Sequence, residues 1–258
     1  MKKTLAIALS ALSFGALASG PQFDNITKED VKNITKEFGT NFSHTVVAAP
    51  ETNGMWGIEV GVVGGQTSSK KFSDIVERSG GDGKDFKNVY HAGIFARAHF
   101  PFEIFAEASF LPEQKISDVK IKSNSFGLGW NAGNFFALPI DLTVAADVSN
   151  GEINFNQTTP VATNIDLKTT TTNYWVGISR RFVFVTPNLK VGTSTVDGAL
   201  KGDASIFQFS TSTKEKASVT GSYLAYGANF EFLGIRLGVE GTSMHNTQRV
   251  SGKISYSF

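Results

Sequence analysis

Regular alternation of apolar and polar residues, the spacing of the connections between the alternating stretches, and aromatic residues at their ends predict the fold. It is all-β: an antiparallel up-and-down transmembrane β-barrel of about ten strands, eight or twelve being the alternatives, with a short N-terminal helix. Successive side chains of a strand point to opposite faces, so roughly ten residues with one apolar and one polar face suit a tilted strand crossing a bilayer. The composition fits such strands: 41% of residues are hydrophobic, Phe (22) and Gly (26) are abundant, and Pro (7) is scarce. Cysteine is absent, which excludes a disulfide framework, a thiol nucleophile, a thiolate metal site and a lipoprotein anchor.

The N-terminus reads as an export signal. Met1-Lys2-Lys3 is basic, Leu5 to Leu17 is apolar but too short for a membrane-spanning helix, and Ala16-Leu17-Ala18 offers a small-x-small cleavage site. Residues 1–18 are therefore expected to be removed. The chain carries 24 Lys and Arg against 23 Asp and Glu, and losing Lys2 and Lys3 leaves 22 against 23. A charge of about −1 argues against a nucleic-acid partner.

Residues 19–53 are expected to form a helix and an extended segment ahead of a barrel at 54–258. Thr27 suits an N-cap with Asp30 completing a capping box, Val31, Ile34 and Phe38 share one face, and Gly39 supplies a stop, so the helix is placed at Lys28 to Phe38. Ser43 to Ala49 then reads as extended until Pro50. This segment either plugs the barrel mouth or caps its periplasmic end.

The strands follow in order. The first, Met55 to Gln66, sets Trp56, Ile58, Val60 and Val62 against Gly57, Glu59 and Gly61, and a polar loop from Thr67 to Asn88 has Gly80 to Gly83 at its tip. The second and third, Val89 to Phe100 and Phe102 to Leu111, meet at Pro101, with Arg97, Glu103 and Glu107 on the polar face. The fourth spans Val119 to Ala132; the fifth, Ile140 to Ser149, opposes Leu142, Val144 and Val148 to Asp141, Thr143 and Asp147. A long loop, Gly151 to Asp166, leads to the sixth, Leu167 to Arg181. The seventh runs Phe184 to Val196, a third long loop Asp197 to Lys216, the eighth Ala217 to Phe232 and the ninth Ile235 to Met244. Pro112 to Asp118 and His245 to Thr247 are shorter connections on the long-loop side. Short turns on one rim and long loops on the other mark a transmembrane barrel, as do aromatics at both rims, here Trp56, Phe100, Phe182, Phe184 and Phe232 against Tyr90, Phe110 and Tyr174. A lipocalin-like soluble barrel has the same alternation turned inside out, but lacks these rim features.

The last strand, Gln248 to Phe258, puts Val250, Gly252, Ile254, Tyr256 and Phe258 on one face and Arg249, Ser251, Lys253, Ser255 and Ser257 on the other. Here the chain resembles Gram-negative bacterial outer-membrane β-barrel proteins, whose last strand ends in Phe with an aromatic residue two before it. Ile254, Tyr256 and Phe258 match, and Gly252 departs from the pattern. The resemblance implies that this end is an insertion signal read by the barrel-insertion machinery, and that the protein sits in outer-membrane lipid.

Polar-face charges are the candidates for function. Arg97, Arg181, Lys190 and Arg236 are expected to pair in the lumen with Glu59, Glu103, Glu107, Asp141, Asp147, Glu231 and Glu240, because a buried charge is costly unless paired. The network either fills a closed lumen or lines a path for ions. Enzymatic readings find little support. Omptin-type outer-membrane proteases also have ten strands but use an Asp pair and a His-Asp pair at the outer rim, where His245 has no neighbouring Asp; there is no Gly-x-Ser-x-Gly elbow. His91 and His99 lack metal-type spacing and His44 stands alone, so no catalytic residue, metal or cofactor is expected. Two roles remain: a closed barrel acting structurally or through its long loops, and a conduit for small solutes, hydrophobic ones included, with the N-terminal segment as plug. Either leaves room for a small-molecule ligand in the lumen or at the outer loops.

Overall fold

The computed structural model describes residues 23–44, 56–116, 119–157, 163–202, 206 and 214–258. The leader at 1–18, and most of the extended segment from Ser43 to Ala49 with Pro50, lie outside them. Ten antiparallel strands form one closed barrel: β1 (Gly57–Ser68), β2 (Asn88–Phe100), β3 (Ile104–Ile116), β4 (Val119–Asn131), β5 (Asp141–Gln157), β6 (Thr163–Ser179), β7 (Val185–Lys201), β8 (Lys214–Phe232), β9 (Ile235–Met244) and β10 (Thr247–Ser257). Each pairs with its sequence neighbours, and β10 closes on β1 from Glu59 opposite Ser257 to Thr67 opposite Arg249. Ile58 and Phe258 exchange both backbone bonds, at 2.9 and 3.0 Å, so the seam is sealed to the end. A lipid-facing wall allows no unpaired edge.

Turn chemistry accounts for the tight connections. Leu233 and Gly234, and His245 and Asn246, all have φ between 50° and 79°, the left-handed pair of a two-residue hairpin. Phe102 and Glu103 adopt φ of 64° in a 3-10 turn, Pro101–Glu103. Alternation alone puts both in the third strand; Pro101 instead starts a turn, and β3 begins only at Ile104.

The wall changes polarity along its height. On β5, Val144 and Val148 face outward and are exposed, while Thr143, Asp147 and Ser149 are buried inside. Past Ser149 the pattern inverts: Asn150, Glu152 and Asn154 face outward and Ile153 and Phe155 inward. On β6, Tyr174, Val176 and Ile178 are the outward apolar residues, whereas further up Lys168 is outside and Ile165 and Leu167 inside. The lower part is thus apolar outside, with buried polar and charged side chains inside beside a cluster of Phe105, Trp175 and Tyr223, as suits a wall in hydrocarbon; the upper part has the arrangement of a protein in water. Strands β5 to β8 therefore rise well beyond the lipid-facing band, through much of the sequence at 151–166 and 197–216 that alternation alone assigns to loops. Between β3 and β4 the register shifts at Leu111 and Gln114, across Pro112, and β3 reaches Ile116, where a loop from Pro112 was expected.

The space inside the upper wall is filled by two helices. Helix α1 (Lys28–Phe42) has the expected capping box, Asp30 N to Thr27 Oγ1 at 3.1 Å and Thr27 N to Asp30 Oδ2 at 2.8 Å. It runs a turn beyond the expected stop, because Gly39 is an interior packing position: a Cβ there would meet the side chain of Val196 on β7, and Thr171 Oγ1 donates to the Gly39 carbonyl at 3.0 Å. Helix α2 (Lys70–Arg78) was not expected in the first long loop. Gly80, at φ 87°, ends it, with Gly81 N bonding to Val76 O at 3.0 Å and Gly80 N to Glu77 O at 3.1 Å, a Schellman stop rather than a loop tip. Phe23, Ile34 and Phe38 pack with Phe72, Ile75 and Val76 of α2 and with Ile153, Phe155, Leu167 and Leu200 of the wall. Each such side chain contributes roughly 1.5–3 kcal/mol on burial.

Candidate functional site: a charged lumen beneath a helical plug

Below the helices, inward positions of β1, β2, β3, β9 and β10 build a charge cluster around Glu59, which is fully buried. It accepts from Arg97 Nη1 at 3.0 Å, Arg236 Nη1 at 3.1 Å, Lys253 Nζ at 2.8 Å and Ser255 Oγ at 2.6 Å. Arg97 also donates through Nε to Glu107 at 2.6 Å. One carboxylate facing three cations is tolerable in a low dielectric only because Glu107 on Arg97 and Glu231, 3.5 Å from Arg236 Nε, share the positive charge. Higher on the wall Lys190 meets Glu240 at 2.6 Å and lies over the Trp175 ring at 5.1 Å. Asp147 is held by neutral donors, Asn173 Nδ2 at 2.6 Å and Trp175 Nε1 at 3.0 Å.

The structure brings Glu59, Arg97, Glu107 and Arg236 into one cluster and Lys190 and Glu240 into a second. Other expected members sit elsewhere. Arg181 is half exposed at the short-turn rim, 3.6 Å from Glu231. Asp141, near the same rim, accepts from Asn131 at 3.3 Å and Ser179 at 3.4 Å. Glu103 lies in the Pro101–Glu103 turn, not on a lumen-facing strand position.

Three important residues escaped the candidate set. Lys253 completes the Glu59 cluster. Arg249, fully buried, donates from Nη1 to the carbonyls of Thr40 at 2.9 Å and Ser43 at 2.8 Å, so a cation closes the C-terminus of α1, where the helix dipole favours positive charge. Both are on the polar face of the last strand, so alternation pointed to them. His44 does not stand alone: Nδ1 is 2.5 Å from Ser125 Oγ and Nε2 is 3.4 Å from Glu107 Oε1. No spacing links 44, 107 and 125, since only the return of the chain into the lumen unites them.

The two helices are tied to each other and to the wall. Glu37 of α1 accepts from the backbone N–H of Lys71 at 2.9 Å and of Phe72 at 2.8 Å, capping α2 from outside its own sequence. Burial pushes the Glu37 carboxyl up to about 7 despite these two donors. Burial also pushes Asp30 upward, but Thr27 and the Arg78 guanidinium, 2.6 Å away, outweigh it and hold the group below the usual carboxylate value. Asn41 spans the gap to β2, donating to Tyr90 O at 3.2 Å. Ile26 N bonds to Ile206 O at 2.8 Å, so α1 starts at the long-loop end and points its C-terminus down into the lumen. Among the described residues no three His, Asp or Glu side chains are arranged to hold a metal ion.

No protein-family model matches the sequence, and no curated protein does. Solved structures with a similar course include the attachment invasion locus protein Ail of Yersinia pestis, in complex with the heparin analogue sucrose octasulfate (12% identity, 79% of this chain and 97% of that chain, TM-score 0.36). Others are the outer membrane protease OmpT of Escherichia coli (10%, 82% and 99%, 0.42) and the translocator domain of the autotransporter NalP of Neisseria meningitidis (11%, 81% and 89%, 0.41). These are Gram-negative outer-membrane β-barrels. At such scores nothing about activity passes from them to this chain; the membrane-barrel architecture stands on the closed wall and its apolar lower exterior.

Proposed function

We propose that this chain is a non-conducting, non-catalytic outer-membrane barrel that stands above the lipid on β5 to β8 and offers its polar upper exterior and mouth to partners outside the cell. The observation that supports this is the filling of the lumen: a helix-packed apolar core lies over a paired charge network, and the core leaves a gap of only about 30 Å³ among Phe23, Phe38, Phe72 and their neighbours. A solute path through it requires α1 to leave. Ser125, His44 and Glu107 carry the atoms of a nucleophile relay, but His44 and Glu107 are buried beneath α1 and Ser125 Oγ is shared with Ser109 at 2.5 Å, an arrangement suited to anchoring the chain after the helix. Export through the leader and delivery by the barrel-insertion machinery belong to the same proposal.

Planar-bilayer recording tests it. The intact chain is expected to give no conductance steps, and a chain lacking residues 19–50 to give them. Steady conductance from the intact chain replaces the closed barrel with the conduit for small solutes.

A further inference from the structure

At the short-turn rim, the outer surface of β6 and β7 carries a groove of about 290 Å³ lined by Ile140, Ile178, Arg180, Pro187 and Leu189. Pro187 has no N–H to give, so its pairing with Arg180 rests on one bond, Arg180 N to Pro187 O at 3.4 Å. The outward neighbour of Pro187 across β8 is Ala228, so no bulky side chain fills the step. The groove walls Ile140, Ile178 and Leu189 are each 40–47% exposed and face the level of the lipid.

At the lower edge of this groove stands Arg180. Its guanidinium lies over the Phe182 ring at 5.5 Å, and it makes no ion pair among the described residues. Its neighbour Arg181 by contrast is paired with Glu231. Phe182 and Phe184 are both more than half exposed beside it and fix this height as the membrane interface, where aromatic girdles sit. A cation held there by an aromatic face presents N–H donors in a fork that matches phosphate oxygens. The apolar groove rises from it into the hydrocarbon.

We propose that this rim holds one anionic glycerophospholipid of the periplasmic leaflet, its phosphate on Arg180 and an acyl chain in the groove between β6 and β7. The site rests on the membrane-barrel reading and on the short turns facing the periplasm.

The test reconstitutes the full chain in vesicles of phosphatidylethanolamine and phosphatidylglycerol in equal amounts and counts the lipid retained after detergent extraction by native mass spectrometry. The wild type is expected to keep one phosphatidylglycerol about tenfold over phosphatidylethanolamine, about 1.4 kcal/mol. Arg180→Gln should abolish that preference, Leu189→Trp should fill the groove and lower retention of both lipids, and Val60→Trp, on the opposite wall, should change neither. Retention in the proportions supplied, or a preference that survives Arg180→Gln, overturns the site. Unheated gel migration of each variant separates this from the wider reading: a wild type that shows no heat-dependent shift refutes the membrane barrel itself, whereas a shifting barrel without lipid preference refutes only the site.

Discussion

Gly39 shows how a single residue reads differently in one dimension and in three. In an exposed helix Gly→Ala gains about 1 kcal/mol. Here the Val196 side chain occupies the place of the missing Cβ, so Gly39→Ala is expected to cost about 1–3 kcal/mol by overpacking. Val196→Ala in the same chain should relieve most of that cost, a coupling that a double-mutant cycle in urea measures. Glu59 poses the opposite problem. Removing it leaves Arg97, Arg236 and Lys253 buried without their shared carboxylate, and Glu59→Ala is expected to destabilise the barrel by about 3–5 kcal/mol. Denaturant midpoints of refolded protein check this; an effect below about 1 kcal/mol shows that water already reaches the cluster. The partners of Glu59 were half legible in the sequence, since alternation put each on an inward face. It gave no means of ranking Lys253 and Arg249 above Arg181, because rank depends on height along the barrel axis, which period-two patterning does not encode.

Among the elements, α2 illustrates what a local pattern lacks when its cap is remote. Phe72, Ile75 and Val76 have helical spacing, but Ser69 makes no side-chain cap bond and spends its hydroxyl on Phe86 O at 2.6 Å. The capping group is Glu37, in a different helix. α1, with its capping box in its own sequence, was legible to within its last turn, and Gly39 hid that turn. The Glu37 link also gives the pair of helices a pH dependence. With a folded value of about 7 against an ordinary 4.5, the native state binds more protons than the unfolded one between those values, so stability falls as pH rises from about 4.5 to 7 and then levels. Proteolysis of the α2 loop should therefore quicken across that window in the wild type and stay flat in Glu37→Gln; equal slopes in both refute the assignment to Glu37.

For the whole molecule, the inversion of polarity along the strands fixes how deep the barrel sits. Val144 and Asn150 face the same way on β5, six residues apart. Val144→Arg should cost about 2–4 kcal/mol in lipid, and Asn150→Arg close to nothing; similar penalties for both, read from folding titrations into vesicles, show that the hydrocarbon reaches higher than the band at Val148. The ten-strand wall, its tight turns and its closing strand were legible because each repeats one rule. The upper wall was not, because the same rule continues there with its sign reversed and mimics a polar loop. One further consequence concerns assembly. Every strand pair joins sequence neighbours except β1 with β10, and α1, which precedes β1, lies inside the ring they close. Arg249, at the upper end of that seam opposite Thr67, is also the residue that grips the carbonyls of Thr40 and Ser43. The sheet is wound on the helix as on a mandrel, and the stitch that finishes the tube also pins the mandrel in place. A peptide covering residues 23–44, added to a helix-less barrel after it has closed, should then fail to seat, while the same peptide present during folding should be captured.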